Sequence, residues 1–505
     1  MGEATGSREC APDDKLRETH PLSQSEVDGF RFRRRSLSYG GKVAHPSCER
    51  SIWSDVVSTS VRASLIIRSS FERLAMPHPA RFALRFPLAC IAAGTLALSP
   101  LPARAAPVAS IHELAQQEKA PLLDTLRDLV NIESGSKDAE GLAQLAALIA
   151  DRLTKLGGKV AIIEPADIYR MDDTPPKPGS MVHAEFKGTG TKRIMLIAHM
   201  DTVYLKGMLK DQPFRIDGER AYGLAVVDDK QGIALILHAV AMLQKLNFRD
   251  YGTLTVLING DEEISSPGSR STISRMAGEH DAVFSYEGGG MDGNLRLATS
   301  GIGAAYLTVD GKASHAGAAP EKGVNALYEL SHQMLQLSDL SRREQGLSLN
   351  WTVSQSGTNR NVIPAQATAQ GDARALKVSD FAELEATLQK RIKTQRIPDA
   401  KVQLRFEMRR PPLEATPASR RLAAHGTAIY EELGLPLKVI DVASGGGTDA
   451  AFAALKTKAP VIEGFGLSGF GAHSNDAEYV KLETIVPRLY LSARMIMDVS
   501  QDKVK

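Results

Sequence analysis

The sequence predicts an α/β protein in two parts, a mixed-sheet domain interrupted by a smaller inserted α+β domain of ferredoxin-like order. Three observations carry this. Helix-like and strand-like segments alternate from residue 111 to about 300. Between residues 301 and 411 the order becomes strand, helix, strand, strand, helix, strand, which is that of a ferredoxin-like unit. After Pro411-Pro412 the alternation resumes, so a later piece of chain completes the first domain.

In chain order, apolar residues recur at helical spacing from Ile111 to Leu129, and a second helix runs from Glu140 to Leu156, ended by Gly157-Gly158. Strands are expected at 159–164, 181–187 and 193–199. An Ala/Leu/Ile-rich helix spans Lys230 to Leu246 and precedes the continuous apolar run Thr253 to Asn259, which reads as a buried strand, as does Asp281 to Glu287. In the insert, strands are expected at 303–309, 347–354, 364–374 and 401–409, with helices from Pro320 to Leu337 and Ser379 to Lys393. A helix from Arg420 to Leu433 and a strand from Ala459 to Phe465 follow. The domain limits are therefore 107–300, 301–411 and 412–505.

Upstream of residue 107 the texture differs. Residues 1–75 mix charges and serines without a sustained period. From Met76 come Arg81 and Arg85, an apolar core from Phe86 through Leu98, and Ala103-Arg104-Ala105. That is the order of a secretory signal peptide at 76–105, too short in its apolar part to span a bilayer as a mature helix. The expectation is a natural start at Met76, a doubtful extension before it, and a periplasmic or secreted mature chain without a stable membrane anchor.

At 505 residues, with 43% hydrophobic and 24% charged residues, the chain is long enough for two or three domains with real cores. A formal net charge of +2 provides no electrostatic footprint for nucleic acid, and no nucleic-acid partner is expected. The three cysteines, Cys10, Cys48 and Cys90, all precede residue 106, so a mature chain starting there contains neither disulfides nor thiolate metal sites. Any metal ligands must be His, Asp or Glu.

Polar residues close the apolar strands: His199 and Asp201, Asp261-Glu262-Glu263, and Glu287; Asp228-Asp229 and His473 add to the set. His199-x-Asp201 alone reads equally well as a structural histidine. Together, however, so many acids in one partly buried cleft would repel one another unless cations neutralised them. A pair of divalent ions about 3.5–4 Å apart, bridged by a carboxylate, does this.

The ordered motifs His199-x-Asp201, Gly223 to Lys230 around Asp228, Asp261-Glu-Glu263, Glu287, Gly311 to Gly317 around His315, Gly445-Gly-Gly-Thr-Asp449 and His473 resemble the M20 family of zinc peptidases, in particular its glutamate carboxypeptidase (carboxypeptidase G type) branch. The resemblance covers about residues 110–500. It implies a zinc-peptidase catalytic domain interrupted by a dimerisation or lid domain, with two Zn2+ per subunit. One ion would be held by His199, Asp228 and Glu287, the other by Asp228, Glu263 and His473, with Asp228 bridging. Glu262 becomes the general base, Asp201 the partner that orients His199, and His315 the group that stabilises the oxyanion, often in the neighbouring subunit's site. Arg374, Asn361 and Gly446 become receivers of the substrate's free carboxylate; for Arg374 an ordinary strand-end ion pair is the alternative. Arg296 and Arg410 are weaker candidates for an anionic pocket, since most such arginines are solvated. One departure stands out: Ala225 replaces a glycine usual in the family, and Gln231 stands where small residues are common.

The function implied is a secreted dizinc exopeptidase releasing a carboxyl-terminal residue, glutamate foremost, from peptides or N-acyl (folate-like) conjugates, acting as a homodimer through residues 301–411. An aminoacylase-like deacylase or dipeptidase is the alternative within the same chemistry. A non-catalytic binding module is the alternative of another class, and the complete acid and histidine set argues against it.

Overall fold

The computed structural model describes residues 106–504 except 444–445 and 475–477. The expected extension, the signal segment and all three cysteines lie outside the described residues.

Six strands form the main sheet, in the spatial order 159–163, 181–187, 253–259, 193–199, 282–285, 461–462. The first two pairings are antiparallel and the remaining three parallel, so the sheet is mixed. Strand Arg193–His199 is apolar along its length because both its faces are covered. Ile194, Leu196 and Ala198 join the large core beneath helices Ala109–Val130, Gln231–Lys245 and Ile485–Ser500. Met195 and Ile197, pointing the other way, join the core beneath helices Arg270–Ala277 and Asp449–Ala454. The register sets His199 beside Asn259, and Ile197 beside Ser285, so the segments following three neighbouring strands emerge at one edge.

Residues 301–410 form a separate four-stranded antiparallel sheet in the order 348–356, 366–375, 301–310, 401–410, with helices Ala326–Gln336 and Val378–Arg391 on one face. Strand Gly301–Asp310 alternates strictly between buried and half-buried positions, the pattern of a sheet with one face packed. This is the ferredoxin-like order that the segment sequence predicts.

Three local differences have physical causes. The expected helix from Pro320 breaks into a single turn at Pro320–Lys322 and a helix starting at Ala326, because the Asn325 side chain caps the amides of Leu327 and Tyr328. The strand expected over 459–465 shrinks to Val461–Ile462, since Pro460 lacks a donor and Gly464 turns the chain at φ +85°. A small sheet of strands 215–217, 220–222, 479–481 and 469–470 escaped the periodicity reading, its strands being two or three residues long. No helix among the described residues is long and apolar enough to cross a membrane.

Candidate metal centre and active site

His199, at the carboxyl end of its strand, is buried, and its Nδ1 lies 3.0 Å from the Asp201 carbonyl oxygen. A carbonyl only accepts, so the proton sits on Nδ1 and Nε2 is aimed elsewhere. Nε2 is 2.9 Å from Asp228 Oδ1 and 3.3 Å from Glu287 Oε1. The other oxygen of Asp228, Oδ2, lies 3.2 Å from His473 Nε2, which is also 3.2 Å from Glu263 Oε2. Asp228 thus presents one oxygen to each of two histidines that are far apart in the chain. Donor atoms of His199, Glu262 and Glu287 lie within 4.8 Å of one another, as do those of Asp228, Glu263 and His473.

The electrostatics call for cations. Burial pushes Glu263 up to about 7 although His473 works against it. Burial likewise drives Glu262 well above the usual carboxylate range, with Arg410 opposing. Hydrogen bonds to Asp228 and Glu263 push His473 up to about 10. Glu263 Oε1 is buried without a hydrogen-bond partner. A converging set of two histidines and several buried acids, one with an unsatisfied oxygen, fits divalent metal of the zinc type.

Asp201 does more than the simple expectation that it orients His199. Its main-chain carbonyl makes the shorter contact, at 3.0 Å, and its carboxylate adds a second at 3.5 Å from the same Nδ1. The carboxylate also accepts the amides of Glu262 at 2.9 Å and Glu263 at 3.1 Å, and the Ser136 hydroxyl at 2.7 Å. It therefore fixes the turn that presents both glutamates. Ala225 adopts φ +56°, the left-handed conformation that glycine holds without cost, and that turn leads directly to Asp228.

Some positioning groups were not legible in the sequence. Arg410, a weaker candidate for an anionic pocket on sequence grounds, has a side chain only 5% exposed that binds Glu262 through both carboxylate and backbone carbonyl. A Cβ at Gly447 would lie 2.5 Å from Arg410 Cδ, so a side chain there would displace the aliphatic stem of Arg410. Gln231 is wholly buried and donates to Asp229 Oδ1 at 2.7 Å and the Tyr286 carbonyl at 3.0 Å, while its own oxygen accepts from the Leu467 amide. Glu478, in no motif, accepts amides from Val227 at 2.8 Å, Ala225 at 3.1 Å and Asp228 at 3.2 Å.

The expected substrate groups are more scattered. His315 and Val362 pair in a two-residue ribbon that brings Asn361 alongside. His315 Nδ1 accepts the amides of Gly317 at 3.2 Å and Ala318 at 3.0 Å, leaving Nε2–H as an exposed donor. Arg374 is held by both oxygens of Asp372, at 3.0 and 3.1 Å, and makes no bond to the acid cluster. Gly446 is exposed with open space around it, and neighbouring Gly447 lies against Arg410. Arg296 exchanges backbone hydrogen bonds with Glu463.

A family model described as peptidase family M20/M25/M40 matches residues 195–498. Carboxypeptidase G2 of Pseudomonas sp. (strain RS-16) is 42% identical over 394 residues, 78% of this chain and 92% of that protein. Among solved structures, the aminopeptidase PepT of Bacillus cereus aligns with TM-score 0.60 at 21% identity, over 75% of this chain and 98% of its own. The M20 family metallo-carboxypeptidase Sso-CP2 of Sulfolobus solfataricus aligns with TM-score 0.59 at 16% identity, over 74% and 98%. At those identities the structural likeness speaks for the fold.

Proposed function

The chain belongs to peptidase family M20 and is a metal-dependent hydrolase, and on that footing we propose that it is a dizinc carboxypeptidase releasing a carboxyl-terminal residue, glutamate foremost. Its substrates are small peptides or N-acyl (folate-like) conjugates. The observation that carries this reading is Asp228, whose two oxygens face His199 and His473 separately. His199, Asp228 and Glu287 would hold one ion, and Asp228, Glu263 and His473 the other. When bound, zinc supplies Lewis acidity and a water acidic enough to ionise near neutral pH.

Glu262 takes the proton of the attacking water and delivers it to the departing amine nitrogen. Asp201 keeps that carboxylate and its neighbour in register through their amides. His315 offers Nε2–H to the oxyanion that develops on the scissile carbonyl. Asn361, Arg374 and Gly446 receive the free carboxylate; for Arg374 this means exchanging the Asp372 carboxylate for another of the same geometry. The acyl part would enter a cavity of about 510 Å³ whose lining includes Glu263, Ile264 and the exposed Val203 and Leu205. The domain limits 107–300, 301–411 and 412–505, secretion with a mature start near Ala106, and a homodimer through the insert complete the proposal.

A hydrolysis screen with zinc-loaded protein, across N-acyl amino acids and dipeptides varied on each side of the amide, tests it. Fastest turnover with carboxyl-terminal glutamate and tolerance of large acyl groups is the expected result. Indifference to the released residue with preference for small acyl groups would favour the aminoacylase-like reading.

A further inference from the structure

Of the proposed ligands, His473 alone comes from far along the chain, well over 200 residues beyond Asp228, and something must hold it at a fixed spacing from the others. Tyr204 and Glu478 lie where its segment meets theirs. The Glu478 carboxylate is 2% exposed and accepts three consecutive-turn amides, those of Ala225, Val227 and Asp228. Its fourth donor is the hydroxyl of Tyr204, three residues beyond Asp201, and that hydroxyl also lies 3.0 Å from the carbonyl of Ser474, next to His473. The segments presenting His199 and Asp228 are therefore bonded to one buried phenol and carboxylate pair, and the segment presenting His473 lies against its hydroxyl, whose single proton serves Glu478 or the Ser474 carbonyl.

We propose that Tyr204 and Glu478 are positioning residues which set the separation of Asp228 from His473 and so the affinity for metal; this rests on the dizinc reading. The chemistry supports it over a purely structural role. The Glu478 carboxylate satisfies buried amides of the very turn that presents Asp228, so what it holds in place is the position of a proposed ligand. Among the described residues, its carboxylate bonds to the Asp228 turn and to Tyr204. Groups that orient metal ligands in this way typically change affinity about 10- to 100-fold when removed.

The test uses the full chain, with zinc affinity measured by competition against a chelator and thermal stability measured on the metal-free protein. Tyr204→Phe, which keeps the ring and loses one hydroxyl, and Glu478→Gln should each raise the zinc dissociation constant about tenfold or more. Each variant removes one buried hydrogen-bonding group, so the metal-free protein should stay folded, with its melting temperature lowered only by the amount such a loss implies. The double variant should bind zinc no more weakly than the worse single variant, because the pair acts as a unit. Unchanged affinity in both single variants, or additive losses with a matching fall in metal-free stability, overturns the proposal. Failure of the wild type to bind zinc would overturn the dizinc reading itself, a result distinct from wild-type binding that the variants share.

Discussion

Arg410 grips Glu262 twice, with one guanidinium nitrogen on the carboxylate and the other on the backbone carbonyl, both side chains being buried. The pair spans 148 residues of chain and joins the last strand of the insert to the turn that carries the proposed base. Burial pushes the Glu262 carboxyl up, and Arg410 is the largest influence pulling it back down.

Removing that guanidinium should therefore make Glu262 harder to ionise. A base must be ionised to accept a proton, so in Arg410→Met the acidic limb of the kcat/KM profile moves to higher pH. A pH–rate series decides it, and a limb that stays in place would show that Arg410 does not tune Glu262.

Glu262 and Glu263 are neighbours with different expected tasks. Glu262→Gln should retain zinc while turnover falls by about 10²-fold or more, the scale of a lost general base. Glu263→Gln should lose zinc, since its carboxylate faces His473. Metal analysis of both proteins checks this; equal depletion would reverse the assignment.

His315 presents Nε2–H because its Nδ1 is occupied by two amides. His315→Ala should lower turnover by about 10²- to 10³-fold, the usual effect of one oxyanion donor, with metal content intact. Mixing it with Glu262→Gln protein under conditions of subunit exchange tests action across a dimer. Recovery toward half the activity of one wild-type dimer is expected; no recovery despite demonstrated exchange would place His315 in its own subunit's site.

Far from the acids, Glu118 is buried between helices 109–130 and 231–245, bonded by His238 and Lys245. Burial alone would raise its pKa, but the hydrogen bonds from His238 and Lys245 outweigh it and the carboxyl is lowered. A depressed folded-state pKa contributes stability that is present above the unfolded value near 4.5 and is lost as pH falls through the folded value. Glu118→Gln should cost roughly 1–3 kcal/mol at neutral pH, with the gap to wild type narrowing below about pH 4.5. Denaturant melts at pH 7 and pH 4 measure the two gaps; a gap of equal size at both would remove the linkage.

Much of this molecule was legible in its residues alone. The run from Arg193 to Ala198 announces a strand covered on both faces, and the polar residues that close it and its neighbours mark one edge of a sheet, because side-chain period and burial are local properties. Changes of period near residue 301 and after Pro412 marked the insert for the same reason. What stayed hidden were contacts whose partners come from far along the chain: Arg410 on Glu262, Gln231 on the Leu467 amide, and Glu478 beneath Asp228, a separation of 250 residues. Nothing local distinguishes a buried arginine or glutamate from a solvated one; its charge is tolerated only because folding delivers a partner, and which partner arrives is decided by the packing of the whole chain.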